Sequence, residues 1–202
     1  MTTTDVDADT LVHTGDLVAS ARRLMRAAAT SAVDHADLNR ARDLVDEASA
    51  LLEQQTRDHG IRAHLDRAAI RRTRAGAPWR VFAHNPLGIP LEITVEDDRA
   101  VAVLDPSPLL EGPPGLLHGG FSAAMMDALL STLAQVQDRR VVTVHLDVSF
   151  LRAVPLDRQL RLVGRVTGVE GRKVRAEGVL EYDGEVAVRA EALFIEIPGE
   201  PD

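Results

Sequence analysis

The 202-residue sequence contains no cysteine, which excludes disulfide bonds, thiolate catalysis and cysteine-ligated metal sites. Aromatic residues make up only 3%, so a base-stacking platform for single-stranded nucleic acid is not expected. The net charge of −8 disfavours attraction to nucleic acid or to an anionic membrane surface. No apolar run is long enough to span a membrane, and the acidic N-terminus lacks a signal-peptide pattern, so we expect a cytoplasmic protein.

With 45% hydrophobic residues, the sequence can support a folded core. The N-terminal part of the chain differs from the rest in its pattern of apolar and polar residues. Residues 1–12 are predicted to be a flexible acidic tail. Residues 13–57 carry apolar side chains at helical spacing and predict two helices in an antiparallel hairpin. Residues 58–78 form an arginine-rich linker with a helix over 61–72, which is either solvated or binds phosphate or a partner.

From Trp79 onward the alternation of apolar and polar residues predicts an antiparallel sheet. Two strands come first, then the Pro/Gly-rich loop "LDPSPLLEGPPG", one long apolar helix over 118–136, and four more strands. A single helix bracketed by one antiparallel sheet must bury itself against that sheet. Residues 79–198 are therefore predicted to be one α+β domain.

The segment "GLLHGGFSAAMMDALLSTLA" begins its helix with a His-Gly-Gly motif at His118, Gly119 and Gly120. A helix N-terminus has unpaired N–H groups and a partial positive charge, and glycine lets another group approach those amides. The motif is typical of a binding site for a carbonyl oxygen that gains negative charge.

Asp127 is a carboxylate in the middle of the same apolar helix. If it faces the core or an interface, desolvation makes it a stronger base. The alternative is a water-facing polar stripe of Asp127, Ser131 and Gln135. Gly120 and Asp127 share a helix face but lie about 10 Å apart along the axis, too far for one carbonyl group to touch both. If both serve one reaction, the acid must come from a second, antiparallel copy of the helix in a two-fold dimer.

The order "GPPGLLHGGFSAAMMDALLSTLA", then "TVHLDVSFLRAVPLDRQLRLVGRV" and two further strands, resembles the hotdog-fold acyl-CoA thioesterases of the PaaI-like/THEM-like branch. The resemblance covers residues about 79–197, and the spacing of nine residues from His118 to Asp127 fits the family pattern. It implies a hotdog fold, with a long central helix wrapped by a curved antiparallel sheet. The N-terminal helices would be an extension of it.

The resemblance also implies roles for the site residues. The N–H of Gly119 would polarise the thioester carbonyl, and His118 would shape that corner. Asp127 of the facing subunit would act as general base or nucleophile, and Thr143 would help to orient the water. Because Thr143 alternates with its neighbours in "VVTVHLDVSF", it is expected to share a strand face with His145.

The same resemblance implies which residues contact the substrate. Coenzyme A is expected as part of that substrate, and no other cofactor is expected. The predicted substrate-binding residues are Gly120, His84, Asn85, Arg152, Arg172 and Lys173. The histidines and carboxylates show no zinc-like spacing, so no metal is expected. One departure is Gly112, because many relatives carry Asn or Gln about six residues before the histidine.

Two other functions remain open at this stage. The domain could be a hotdog hydratase or dehydratase, or a non-catalytic protein that binds acyl-CoA or a protein partner. In each case a homodimer is the minimal unit, with a tetramer expected from the family resemblance.

Overall fold

The computed structural model describes residues 6–61, 65–96 and 98–198. These residues form two compact units. The first unit contains the N-terminal helices together with residues 84–86, and the second contains the other described residues from Leu65 onward.

Two helices make up most of the first unit, α1 over Ala8–Thr30 and α2 over His35–Glu53. The carboxylate of Asp7 accepts a hydrogen bond from the N–H of Thr10 (2.8 Å), so α1 begins inside the segment that was predicted to be a tail over 1–12. The tail boundary was wrong because Asp7 serves as an N-cap.

The two predicted helices are present, but they are not packed against each other as an antiparallel hairpin. Helix α2 has no buried residue, and Leu51 is 65% exposed. The backbone stays extended at Ser31 and Asp34, which flank the connection. An amphipathic pattern requires that an apolar face be covered but does not name what covers it, so the packing could not be read from periodicity.

Helix α3 spans Arg67–Arg74, within the predicted arginine-rich linker; residues 62–64 of the helix expected over 61–72 lie outside the described chain. Asp66 caps α3 through the N–H of Ala69 (2.6 Å), and Ile70 is buried. Arg74 donates from Nε to the carbonyl of Val136 (2.6 Å). This part of the linker is therefore built into the second unit instead of being solvated.

One antiparallel sheet and one long helix dominate the second unit, as the sequence predicted for the α+β hotdog fold. The helix is α4, over Gly119–Gln135, and a short 3-10 helix over Pro108–Leu110 precedes it. The strands are β1 (Trp79–Val81), β2 (Leu91–Glu96), β3 (Arg99–Leu104), β4 (Val141–Phe150), β5 (Leu160–Glu170), β6 (Lys173–Tyr182) and β7 (Glu185–Glu196). Their order in the sheet is β1-β2-β3-β5-β6-β7-β4.

Helix α4 packs against the sheet at a point where two glycines face it. A Cβ at Gly164 would lie 2.7 Å from Cδ2 of Leu130, and one at Gly178 would lie 2.6 Å from Cε of Met126. The two glycines are directly paired across β5 and β6. Their missing side chains let the buried face of α4 rest on the strand backbones and so determine where the helix sits.

The close approach predicts that Gly178→Ala destabilises the domain by about 1–3 kcal/mol, because the new methyl also meets the carbonyl oxygen of Val163 at 2.8 Å. Gly168→Ala on β5 is the matched control, since no atom lies within 4 Å of the added Cβ. We expect urea unfolding followed by circular dichroism to show a lower midpoint for the first variant and no loss for the second. Equal midpoints would contradict the close-packing account.

Candidate active site

The first turn of α4 leaves one backbone donor unused. His118 is the N-cap residue, and its Nδ1 accepts a hydrogen bond from the N–H of Gly120 (3.0 Å). The amides of Phe121 and Ser122 donate to the carbonyl of His118 (2.9 and 3.3 Å). The N–H of Gly119 has no acceptor among the residues that the structure describes. The helix thus presents a single free N–H at its positive end.

The hydrogen bond to Nδ1 also assigns the tautomer of His118. A neutral imidazole that accepts at Nδ1 carries its proton on Nε2. The ring is exposed, so Nε2–H is available to donate outward. His118 therefore has one nitrogen that orders the helix start and another that can face a ligand.

The Pro/Gly-rich loop before α4 holds His118 in place. The N–H of His118 donates to the carbonyl of Leu110 (2.9 Å), and the N–H of Leu117 donates to that of Val154 (2.8 Å). Glu111 accepts from the N–H of Gly115 (2.6 Å), whose φ of 75° suits glycine. These bonds make the helix start a fixed element.

Gly112, the departure from the family pattern, has a structural reason. A Cβ there would lie 2.9 Å from Cα and 3.0 Å from Cβ of His118. Any larger residue at this position would displace His118, so the chain in this conformation has no room for the Asn or Gln that many relatives carry. No side chain at position 112 can therefore help to position a carbonyl group or a water molecule in this site.

Asp127 is half-buried on α4, and the hydroxyl of Thr143 on β4 donates to its Oδ1 (2.8 Å). The hydroxyl of Ser131 donates to the carbonyl of Ala128 in its own helix (3.2 Å) and not to Asp127. The carboxylate is therefore oriented by the neighbouring strand, with its second oxygen left to face a ligand. The sequence analysis predicts roles for both Asp127 and Thr143, and the structure shows a hydrogen bond between them.

A β-bulge beside Thr143 corrects one prediction about this strand. Thr143 pairs with the buried Phe194 of β7, whereas His145 pairs with Leu193, and Val144 has no partner between them. Paired residues of an antiparallel ladder point to the same side, so Thr143 and His145 lie on opposite faces. The expectation that they share a face was wrong because the bulge inserts one extra residue.

Within one chain the structure does not bring the Gly119 amide and Asp127 together. Both lie on α4, eight residues apart, which corresponds to about 12 Å along the helix axis. Helix α4 is a rigid element, so no side-chain rotation closes this gap.

Two of the predicted cation contacts are already engaged inside the chain. Arg152 donates from Nε to the hydroxyl of Tyr182 (3.0 Å), lies 4.0 Å above the centre of that ring and forms an ion pair with Glu185. Arg172 donates from Nε and Nη2 to the carbonyl of Glu196 (2.9 and 2.8 Å). Both side chains thus have a structural function as well as any contact with substrate.

The two cation sites lie at opposite ends of α4. Arg152 follows β4 close to Val154, which bonds to Leu117 just before the helix start. Arg172 and Lys173 lie at the other end, where Arg139 donates to the carbonyl of Gly171 (3.1 Å). Helix α4 is about 25 Å long, so one chain cannot present all three cations to one phosphate group.

His84 and Asn85, predicted to bind substrate, belong to the first unit together with α1. Nε2 of His84 lies 3.0 Å from the carbonyl oxygen of Leu11, and Arg22 donates from Nη2 to the carbonyl of Asn85 (2.7 Å). Burial lowers the pKa of Arg22, which still remains protonated near neutral pH. Substrate binding by His84 and Asn85 remains a prediction.

An apolar cavity of about 130 Å³ lies beside α4 in the second unit, and sequence reasoning missed it. Phe82 stands at its edge with a φ of 58°, a conformation that costs a bulky residue free energy. Gly88 makes room for that ring, because a Cβ at Gly88 would lie 2.2 Å from Cγ of Phe82. The cavity is lined by Phe82, Ile89, Phe121, Ala124, Met125 and Ala128, among others.

The cavity and Asp127 are neighbours on α4. Ala124 precedes Asp127 by three residues, which places the two about 60° apart around the helix. A group bound in the cavity can therefore reach the Asp127 side of the helix.

Two further site expectations concern metal and membrane. Within residues 6–61, 65–96 and 98–198, no cluster of three or more histidine or acidic side chains could hold a metal ion. Among the same residues, no helix has the length and apolar character needed to cross a bilayer.

Comparison with solved structures identifies the fold. A thioesterase superfamily protein of known crystal structure aligns with a TM-score of 0.74 and 24% identity, over 90% of this chain and 94% of that one. A hypothetical thioesterase of Streptococcus pneumoniae, solved with coenzyme A, aligns with a TM-score of 0.51 and 17% identity, over 55% of this chain and 88% of that one. The second unit is a hotdog fold.

Sequence comparisons show which proteins the chain is similar to. Residues 114–186 match the model of the thioesterase superfamily. Acyl-coenzyme A thioesterase THEM4 of Xenopus laevis is 35% identical over 101 residues, which are 49% of this chain and 46% of that protein. Acyl-coenzyme A thioesterase THEM5 of Homo sapiens is 33% identical over 76 residues, 38% of this chain and 31% of that protein. This chain thus spans less than half the length of either relative.

Proposed function

We propose that this protein hydrolyses acyl-CoA thioesters at a site that two chains share. The observation that carries the proposal is the pair of groups on α4, the unpaired N–H of Gly119 and the carboxylate of Asp127 held by Thr143. One group can stabilise an oxyanion and the other can accept a proton, which are the two requirements of thioester hydrolysis. Relatives that are named acyl-coenzyme A thioesterases support this assignment.

Two chains are needed because both groups must approach one carbonyl group to about 3 Å. A second α4 that runs antiparallel beside the first places Gly119 of one chain next to Asp127 of the other. The two-fold symmetry then creates two equivalent sites per dimer.

Strand β4 supplies independent support for a dimer on this side. It is a ten-residue strand at one end of the sheet, and it pairs only with β7 among the described strands. It also exposes Val144 (53%) and Phe150 (56%). An exposed apolar edge strand is a template for pairing with another chain, and Thr143 lies on this same strand.

In the proposed reaction the N–H of Gly119 donates to the thioester carbonyl oxygen, and Nε2–H of His118 faces the same corner. Asp127 of the other chain removes a proton from water, and the water oxygen attacks the carbonyl carbon. The tetrahedral intermediate then collapses, the C–S bond breaks, and the thiolate of coenzyme A leaves and takes up a proton. Alternatively, Asp127 attacks the carbonyl carbon itself, the C–S bond breaks, and the thiolate of coenzyme A leaves and takes up a proton. Water then hydrolyses the resulting anhydride to the free acid and the Asp127 carboxylate.

The remaining parts of the substrate also find matching surfaces. The apolar cavity beside Ala124 suits the acyl group, and its 130 Å³ is close to the roughly 150 Å³ of an apolar cavity that binds benzene. Lys173 is exposed, and Arg172 keeps donors beyond those used on Glu196, so both can contact the phosphates of coenzyme A. We expect compact apolar acyl groups to be better substrates than long chains.

The first experiment measures free thiol released from a panel of short, long and aromatic acyl-CoAs, with wild type and Asp127→Asn side by side. We expect turnover of the compact substrates and a loss of at least about 100-fold in the variant, because the amide cannot accept the proton. Asp157→Asn, an exposed loop change, serves as the control and should keep full activity.

Other outcomes of this panel identify the rival functions. Tight acyl-CoA binding without turnover would make the protein a non-catalytic acyl-CoA-binding protein. Addition of water to an enoyl-CoA without thiol release would make it a hydratase.

The role of the Gly119 amide is tested by Gly119→Pro, which removes the N–H. Proline is well tolerated at the first position of a helix, and ψ of His118 is 130°, as a residue before proline requires. We expect kcat to fall by about 100- to 1,000-fold with the fold intact by circular dichroism. Gly119→Ala keeps the N–H and puts a Cβ in the same place near Phe150 (3.1 Å), so its kcat should stay near that of wild type. An equal loss in both variants would assign the effect to Phe150 and not to the amide.

Sharing of the site between chains is tested by mixing Asp127→Asn and Gly119→Pro chains. Each variant alone has no complete site, whereas a mixed dimer has one intact site and one doubly damaged site. Co-refolding at equal amounts should restore about one quarter of wild-type activity, since half of the dimers are mixed. Mixtures that stay as inactive as the separate variants would show that both groups must come from one chain.

A further inference from the structure

The loop over residues 82–90, which connects β1 to β2, contributes to both units. Phe82, Leu87 and Gly88 line the apolar cavity of the second unit. The residues between them, His84–Pro86, belong to the first unit together with α1. The two sets of residues are adjacent along the chain, so a restraint on the middle of the loop is passed to the cavity wall through the backbone.

One face of α1 carries the groups that contact the middle of this loop. The carbonyl oxygen of Leu11 lies 3.0 Å from Nε2 of His84, and a Cβ at Gly15 would lie 3.8 Å from the same nitrogen. Arg22 donates from Nη2 to the carbonyl of Asn85 (2.7 Å). These three residues of α1 are spaced by four and seven positions, so they lie on one face of the helix. The loop is therefore held along about three turns of α1.

The contact with α1 also fixes the state of the His84 ring. A carbonyl oxygen can only accept, so Nε2 donates to Leu11 and the neutral ring has no proton on Nδ1. Nδ1 is buried and has no hydrogen-bond partner among the residues that the structure describes. Both ring nitrogens are thus turned towards the protein itself, which favours a positioning role for His84 over direct contact with a substrate.

The end of the loop that forms the cavity wall is strained. Phe82 has a φ of 58°, a left-handed conformation that is unfavourable for a bulky residue. Such a conformation persists where the surrounding structure holds it, and it is often found beside ligand sites. Gly88 admits the ring on one side, whereas Leu87 is 83% exposed and adds little packing there. The hold of α1 on the chain two residues further along restrains the other side.

We propose that α1 sets the shape of the acyl cavity by holding this loop, with Arg22 and His84 as positioning residues that select the acyl group. The inference rests on the proposed thioester hydrolysis and deepens it. While α1 holds residues 84–86, Phe82 stays at the cavity edge and the cavity keeps its volume of about 130 Å³. When the loop is released, Phe82 can leave its left-handed conformation, and the cavity opens on that side. Neither positioning residue touches the substrate.

The test compares Arg22→Met with wild type on one compact and one long-chain acyl-CoA. Methionine removes the guanidinium but keeps an unbranched stem and a high helix propensity. For the compact substrate we expect KM to rise by about 3- to 10-fold with kcat unchanged, because binding must then order the loop. The KM of the long-chain substrate should stay equal or fall, since the opened cavity excludes it less.

Two further variants separate positioning from general damage. Arg22→Lys keeps a cationic donor and should restore the preference for the compact substrate at least in part. Arg26→Met changes an exposed arginine one turn further along α1 and should behave as wild type. Partial unfolding would lower the amount of active enzyme, so it would reduce kcat for both substrates equally and leave KM unchanged. Such equal losses, or a wild-type KM in Arg22→Met, would overturn the proposal.

Hydrogen exchange followed by mass spectrometry tests the hold on the loop without any turnover. In Arg22→Met the peptide over residues 82–90 should exchange faster than in wild type, whereas the peptide over β4 should not change. Unchanged exchange over 82–90 would overturn the proposal even in a protein that releases thiol. Faster exchange in a protein that releases no thiol would support the hold of α1 on the loop and contradict only the proposed hydrolysis.

Discussion

The close packing of α4 against the sheet is the constraint on which the rest of the second unit depends. Gly164 and Gly178 let the helix lie directly on β5 and β6. The same helix carries the free N–H of Gly119 at one end and Asp127 in its middle, so their separation is set by the helix rise. Because that separation is rigid, the chemistry that either group suggests can be completed only by a group from elsewhere.

The bulge in β4 is the second element that makes the site. An unbroken alternation would place Thr143 and His145 on one face, but the extra residue at Val144 lets Thr143 point to Asp127 while Leu146 still faces the core. Sequence alternation in "VVTVHLDVSF" gives no sign of it, because a bulge is a mismatch of pairing between two strands and not a property of one strand. The role of Thr143 could be proposed from the sequence, whereas the direction of its side chain could not.

The sequence predicted what depends on local pattern and missed what depends on distant packing. The His-Gly-Gly helix start, the acid on α4 and six of the seven strands follow from spacing and alternation, and they are present. The sequence analysis missed β1, because a three-residue strand is too short to show an alternation. The hydrogen bond and ion pair of Arg152 are made with Tyr182 and Glu185, about thirty residues away along the chain. Glycine is required at position 112 because His118 lies against it. In the first unit, caps at Asp7 and Asp34 mark the helices, but no local signal names what covers the apolar side of α2.

The β4 edge is the surface proposed for contact between copies. It offers unpaired backbone groups and apolar side chains, whose contribution changes little with salt. Thr143 lies on this edge strand and holds Asp127 of α4, so a contact along β4 would bring the second chain next to the carboxylate that the proposed chemistry needs.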